Sequence, residues 1–206
     1  AGGTFLDLGG VFALDLKKHM KSQAIFPNDL LDNRGLIDSL QDFDGTDSVD
    51  VNAILEVNVT DDDPSSGGAT YKGFQTFANG NFKGRGFKFR TTLTSNDTAQ
   101  TIQVTELGYT ASLQRRTEQN ATAIASGAGA KNVTFDHPFF VGTSSLLGAN
   151  SHLPSVGITA LNMASGDIFE LTNIASTGFT VHFKNSSGAS IDRNFNFTAV
   201  GFGKGG

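Results

Sequence analysis

The chain has 206 residues, a formal charge of −5 and no cysteine. This length allows one large domain or two domains of about 100 residues each. The acidic charge argues against a nucleic-acid partner held through phosphate contacts, and the lack of cysteine excludes a disulfide framework or a thiolate metal site. No apolar run approaches the roughly 18 residues that a membrane span needs, so no membrane insertion is expected.

The N-terminal segment, residues 3–16, alternates loosely between apolar and polar residues around Gly9-Gly10. We expect two short strands there, followed by a solvated turn or strand end at the basic residues 17–21. The chain begins without a signal-peptide pattern. Its first residues are typical of the middle of a protein, so we expect a processed chain or the C-terminal piece of a longer one.

An Asp-rich stretch follows at residues 29–50. Its carboxylates are the ligand type that Ca²⁺ prefers. The spacing matches the pattern D-x-D-x-D-G only in part, however, and no Glu stands where such a loop needs its last ligand. We therefore favour a solvated acidic loop at a sheet edge, keep a structural Ca²⁺ as the alternative, and expect no other cofactor.

Period-two alternation marks the strands of the first half, at 51–59, 71–77, 82–95 and 101–113. The alternation changes phase near Glu106, which predicts a β-bulge there. Several strands without a good helix predict a β-sandwich. The small, polar residues 115–131 indicate a linker or the first part of a second domain, and we place the boundary near residue 118.

Six short strands are predicted in the second half, at 132–135, 139–141, 155–162, 167–174, 178–185 and 193–202. The last two have apolar side chains that should fill a small core: Phe179, Val181, Phe183, Phe195 and Phe197. Turn residues between these strands predict a hairpin. Its polar face should meet a sister subunit or a host surface through His182, Lys184, Asn194 and Asn196.

The sequence lacks the usual groupings of catalytic residues. It has no cysteine and no G-x-S-x-G, and its four histidines make no H-E-x-x-H pattern. Aspartate is plentiful, but abundance alone does not define the carboxylate pair of a glycosidase. We therefore expect a protein that is not an enzyme.

Two regions resemble a known family. The first reads R-x-F-x-F-R-x-x-L-x-S and then I-x-V-x-x-L, carried by Arg85, Phe87, Phe89, Arg90, Leu93, Ser95, Ile102, Val104 and Leu107. It is similar to a sandwich found in tail-tip, or host-specificity, proteins of long-tailed bacteriophages. The second includes PSVGITALN, TGFTVHF and RNFNFTAVGFG. It resembles the small C-terminal module of those proteins, which is similar to the H-type lectin fold.

The resemblance implies an all-β chain of two tandem β-sandwiches. Residues 1–118 would form a jelly-roll or galactose-binding-like sandwich, and residues 119–206 a six-stranded, H-type-lectin-like sandwich that trimerises. The protein would then be a homotrimer at the distal end of the phage tail, where it contacts other tail proteins and a bacterial surface glycan or receptor.

Polar groups on or beside the later strands are the candidate glycan contacts, because their side chains can bond sugar hydroxyls. They are Asp167, His182, Asp192, Arg193 and Asn194. Two other functions fit the same sequence. One is a purely structural trimeric tail connector, and the other is a carbohydrate-binding module of a secreted bacterial protein.

Overall fold

The computed structural model describes residues 5–25, 51–96, 100–144 and 146–204. These residues form several antiparallel sheets and no helix, which confirms the predicted all-β class. Accordingly, no helix in these ranges is long and apolar enough to cross a membrane. The Asp-rich segment 29–50 lies outside the described residues. The two interpretations of this segment, a Ca²⁺ site and a solvated acidic loop, therefore both stay predictions.

The described residues contain twelve strands. They are β1 (Phe5–Ile25), β2 (Val51–Thr60), β3 (Gln75–Thr76), β4 (Gly80–Ser95), β5 (Thr101–Leu113), β6 (Arg115–Gln119), β7 (Ile124–Ala125), β8 (Lys131–Thr134), β9 (Ser155–Leu161), β10 (Ile168–Ala175), β11 (Gly178–Lys184) and β12 (Asn194–Phe202). The first sheet has the order β3-β2-β4-β1-β5, and the second has the order β10-β11-β8. In the third sheet, β6, β7 and β9 all pair with β12.

Strand β1 joins the two parts of the first sheet. Its residues 5–16 pair with β4, and its residues 14–25 pair with β5. The ring of Phe89 on β4 nevertheless stacks on the ring of Tyr109 on β5, with 4.2 Å between centroids. Although β1 lies between β4 and β5 in the sheet, the sheet curls enough to bring side chains of β4 and β5 into contact. Buried side chains fill the space inside the curl: Leu6, Leu8, Phe12, Leu14, Leu16, Leu55, Val57, Val59, Phe77, Phe87 and Phe140.

The prediction of two short strands at the N-terminus is wrong, because β1 continues through Gly9-Gly10 as one strand. The pairing with β4 shifts between Asp7 and Phe12. Gly9 has a φ of 73°, and its N–H donates to Asp7 Oδ1 at 2.8 Å. The glycines thus make an irregularity inside a strand rather than a turn between two strands. The basic residues 17–21 also lie within β1.

The bulge predicted near Glu106 is confirmed. Lys21 pairs with Glu106 and Ser22 pairs with Val104, so Thr105 is the extra residue. Most of the other predicted strands are present with small changes at their ends. Of the strand predicted at 71–77, only β3 forms. Instead of the strand predicted at 139–141, the structure has a single bridge between Phe140 and Phe202.

The second and third sheets pack face to face, with β11 opposite β12. The ring centroids of Phe179 and Phe197 lie 5.4 Å apart, and those of Phe183 and Phe195 lie 5.7 Å apart. The predicted burial of the five apolar residues is therefore confirmed. The predicted hairpin is wrong, because β11 pairs with β8 and β10 whereas β12 pairs with β6, β7 and β9.

The polar side chains of β11 and β12 consequently do not share one face. Residues alternate across a strand, so packing the two apolar faces together turns the two polar faces apart. His182 and Lys184 lie on the outer face of the second sheet. Asn194 and Asn196 lie on the outer face of the third sheet, on the opposite side of the core.

Residues 115–131 supply β6 and β7, both paired with β12. Because β9 occupies one edge of β12 throughout residues 194–200, β6 and β7 share the other edge as one interrupted strand. The side chain of Asn120 fills the interruption: its Oδ1 accepts the N–H of Phe197 at 2.6 Å, and its Nδ2 donates to Asn196 Oδ1 at 2.8 Å. The predicted boundary at residue 118 falls inside β6, and the division into two domains stays a prediction.

The end of β12 connects the two halves at what we call the junction, formed by Ala13, Gln114, Phe140 and residues 202–204. Gly203 N–H donates to the Gln114 carbonyl at 3.0 Å, and Ala13 N–H donates to the Lys204 carbonyl at 3.1 Å. The ring of Phe140 packs edge-on against Phe12, with 5.9 Å between centroids. Phe140 thus comes from the second half of the sequence but completes the core of the first sheet.

Replacing Phe140 with alanine should lower the free energy of unfolding by about 3–5 kcal/mol, the usual cost of deleting a buried aromatic ring. Only 3% of Phe140 is exposed, whereas 39% of Phe169 is exposed. Phe169→Ala is therefore the matched control and should cost much less. Urea denaturation measures both changes, and equal losses for the two variants would contradict the place given to Phe140 at the junction.

Candidate functional site

The structure brings together three of the five predicted site residues. Asp167, Asp192 and Arg193 form one hydrogen-bonded cluster with Ser126, just before β12 begins. Asn194 follows as the first residue of β12. His182 lies apart, on β11 in the opposite sheet.

Asp167 is the anchor of this cluster. Its Oδ2 accepts Nε of Arg193 at 2.9 Å, Nη2 of Arg193 at 2.6 Å and the N–H of Ala164 at 2.8 Å. The hydrogen bond from Ala164, with a further contribution from Arg193, holds the pKa of Asp167 below its ordinary value of 3.8. Only 3% of the Asp167 side chain is exposed. Asp167 is therefore an ionised support that orients Arg193, and it is too covered to contact a ligand.

A second set of hydrogen bonds fixes the backbone before β12. Ser126 N–H donates to the Arg193 carbonyl at 2.9 Å, and Arg193 N–H donates to Ser126 Oγ at 2.9 Å. Asp192 Oδ1 accepts the N–H of Gly127 at 2.7 Å. Ser126 was not predicted, because it is 66 residues from Asp192 in sequence and no motif marks a lone serine.

Polar groups without an intramolecular partner among the described residues remain on the three consecutive residues Asp192, Arg193 and Asn194. Within the described part of the chain, Asp192 Oδ2 and the Asn194 side chain form no hydrogen bond. Arg193 donates Nη1 to the Asp192 carbonyl at 2.9 Å and keeps further N–H groups that its bonds to Asp167 do not use. Three consecutive residues thus supply a carboxylate acceptor, a guanidinium donor and an amide, all groups that can bond the hydroxyls of a sugar.

His182 belongs to a separate polar network on the outer face of the second sheet. Its Nε2 shares a hydrogen bond with Ser190 Oγ at 2.7 Å. Beside it, Lys184 Nζ donates to Glu170 Oε2 at 2.8 Å, and this bond lowers the pKa of Glu170. These side chains bond mainly to one another. The structure therefore separates His182 from the other four predicted residues.

The described residues include no group of three or more His, Asp or Glu side chains that could hold a metal ion. No protein-family model matches the chain, and neither a curated protein nor a solved structure matches it. The resemblance to phage tail-tip proteins therefore stays a prediction that depends on its sequence motifs.

Asp167→Asn should make the protein less sensitive to acid. Because the pKa of Asp167 is lower in the folded chain than in the unfolded chain, its ionised form stabilises the fold above about pH 4. That stabilisation is lost as the pH falls through the unfolded-state pKa and then the folded-state pKa. Thermal unfolding between about pH 5 and pH 3 should therefore show a smaller fall in Tm for the variant than for the unmodified chain.

Arg193→Gln removes the other partner of the same bond and should reduce the acid sensitivity in the same direction. If both variants kept the full fall in Tm, Asp167 would not be the ionised anchor of this cluster.

Proposed function

We propose that this chain is a component of a bacteriophage tail tip or tail fibre, and that it attaches the virion to a glycan or receptor on the bacterial surface. The observation that supports this most is the row Asp192, Arg193 and Asn194. Asp167 and Ser126 hold its backbone and guanidinium in place, while other polar groups of the same three residues remain unbonded within the described ranges. A preorganised set of donors and acceptors loses little conformational entropy when it binds.

The finer architecture is part of the same proposal. We assign residues 1–118 to a jelly-roll or galactose-binding-like β-sandwich and residues 119–206 to an H-type-lectin-like one. The face-to-face packing of β11 and β12 supports the second assignment. So does the strand count once the boundary is moved back to residue 114, because β6 (Arg115–Gln119) then joins β7 as one interrupted strand beside β8, β9, β10, β11 and β12. The curl of the first sheet supports the first assignment.

The proposed protein is a binding module, not an enzyme, and works as a homotrimer at the distal end of the tail beside other tail proteins. Exposed apolar side chains support self-association. Tyr109, Leu147 and Phe202 are exposed, and they line one largely apolar cavity of about 410 Å³. Monomeric proteins seldom expose contiguous apolar patches of large size. The same patch also favours the second candidate function, a structural trimeric connector whose partner chain makes the host contact.

Light scattering after size-exclusion chromatography should give the mass of a trimer of this chain. We expect a trimer because association would bury the exposed apolar side chains of Tyr109, Leu147 and Phe202, whose contact with water in a monomer is unfavourable. A stable monomer at all concentrations would contradict the tail-fibre proposal and the connector alternative together.

Asp192→Ala combined with Asn194→Ala should weaken adsorption of the labelled protein to a susceptible bacterial strain. The expected loss is about tenfold or more, because each charge-assisted hydrogen bond contributes about 1.5–3 kcal/mol. Asn194→Ala should change the Tm little, since Asn194 is exposed. Asp192→Ala should lower it, because it also removes the hydrogen bonds from Gly127 N–H and Ser126 Oγ. Adsorption is therefore compared at a temperature where the double variant is folded. Flow cytometry on a panel of strains measures the adsorption.

Thr198→Ala is the matched control, because Thr198 is exposed on the same strand and the same face as Asn194. It should adsorb like the unmodified chain. An intact trimer that adsorbs to no strain would favour the connector. Full adsorption by the double variant would contradict the proposal that this row of residues contacts the host surface.

A further inference from the structure

A cleft of about 510 Å³ opens at the junction. One wall is the irregular part of β1 around Gly9 and Gly10. The opposite wall comes from residues 137–143 and from the turn at Ser176 and Thr177. This volume is in the range of about 300–1,000 Å³ that is usual for small-molecule sites, which also favour the boundaries between structural units.

Two lysines lie on either side of Ala13 near this cleft, and one of them lines it. Lys83 on β4 lines it, and both Lys83 and Lys204 pair with Ala13, which therefore lies between them on a neighbouring strand. Residues paired across strands point to the same face. The two lysine Cβ atoms are therefore roughly 10 Å apart, at twice the strand spacing. The small side chain of Ala13 leaves the space between the two ammonium groups open.

No carboxylate in the described part of the chain neutralises these lysines. Neither Lys83 nor Lys204 forms an ion pair there, and none of the described residues that line the cleft is an Asp or Glu. Several other cations of the described residues are paired with carboxylates. Arg85, for example, bonds to Asp7 at 3.1 Å, and Lys72 bonds to Asp61 at 2.9 Å. In a chain with a net charge of −5, the cleft is therefore a local site of positive charge.

The remaining polar groups of the cleft suit a sugar better than a bare anion. His137, Ser176 and Thr177 line it, and their side chains form no hydrogen bond within the described ranges. An imidazole and two hydroxyls offer donors and acceptors to neutral hydroxyl groups. The exposed Pro138 adds apolar surface for the less polar face of a pyranose ring.

We propose that the junction cleft binds a saccharide that carries a phosphate or carboxylate group. The anionic group lies between Lys83 and Lys204, and the sugar hydroxyls contact Ser176 and Thr177. This inference rests on the proposed function, because it names an anionic bacterial surface glycan as the ligand class. It adds a second site, distinct from the row Asp192 to Asn194.

Isothermal titration of the intact chain tests the cleft directly, with glucose 6-phosphate as the phosphorylated probe and trigalacturonate as the carboxylated probe. Maltotriose is the neutral probe. At least one charged probe should bind, maltotriose should bind at least about tenfold more weakly, and the affinity for the charged probe should fall as salt is added. The stronger of the two charged probes identifies the anionic group.

Lys83→Ala combined with Lys204→Ala should weaken binding of the charged probe by about tenfold or more. The matched control is Lys18→Ala combined with Lys131→Ala, which removes the same charge from unpaired lysines that do not line the cleft. This control should bind like the unmodified chain. Circular dichroism verifies that each variant is folded.

Three results would overturn the inference: no binding of either charged probe, equal binding of maltotriose, or equal losses in the two double variants. Adsorption to bacteria separates this inference from the proposed function. If the chain adsorbs to a strain and neither charged probe binds, the cleft assignment fails and host attachment stands. If a charged probe binds in the cleft and no strain is adsorbed, host attachment fails and the cleft stands.

Discussion

The ring contacts of 5.4 and 5.7 Å between β11 and β12 hold together the second and third sheets, and the rest of the structure depends on them. They fix β12, which has β9 on one edge and β6 and β7 on the other. The residues just before β12 carry the proposed glycan contact. The residues just after it reach Ala13 in the first sheet, and Phe202 within it pairs with Phe140, which completes the first core.

Both proposed binding sites therefore follow from the placement of one strand. The nine residues of β12 span roughly 30 Å at the usual rise per residue. One site lies at each end of that span, on a backbone that is hydrogen-bonded along both edges for most of its length. Two sites on one rigid strand can engage one polysaccharide chain together, which raises the effective concentration for the second contact.

The alternation of apolar and polar residues was sufficient to locate β2, β4, β5 and the last four strands, because a period of two is a local property of the chain. It could not show which strands pair. The turn residues between Lys184 and Asn194 can reverse the chain within one sheet or carry it across to another, and only the long-range packing of the rings decides between these. Gly9-Gly10 has the same ambiguity, since glycine suits both a turn and an irregularity within a strand.

The candidate site was predictable only in part, for a related reason. Residue type alone does not distinguish Asp167 from Asp192 as a ligand contact. In the structure, the buried side chain of Asp167 supports Arg193, whereas one carboxylate oxygen of Asp192 forms no hydrogen bond to the described residues. Ser126 and the pair of lysines around Ala13 have no sequence motif, since strand pairing alone brings them together. His182 was grouped with Asn194 on the assumption of a hairpin, and that grouping failed with it.

Native-state hydrogen exchange at the junction tests most directly whether β12 joins both halves into one unit. Three amides report on it: Ala13 N–H bonded to Lys204, Phe140 N–H bonded to Phe202, and Gly203 N–H bonded to Gln114. They should exchange only through global unfolding, with the same free energy as amides inside the two cores. Exchange at these three sites through a much smaller opening free energy, while the core amides stay protected, would contradict the account.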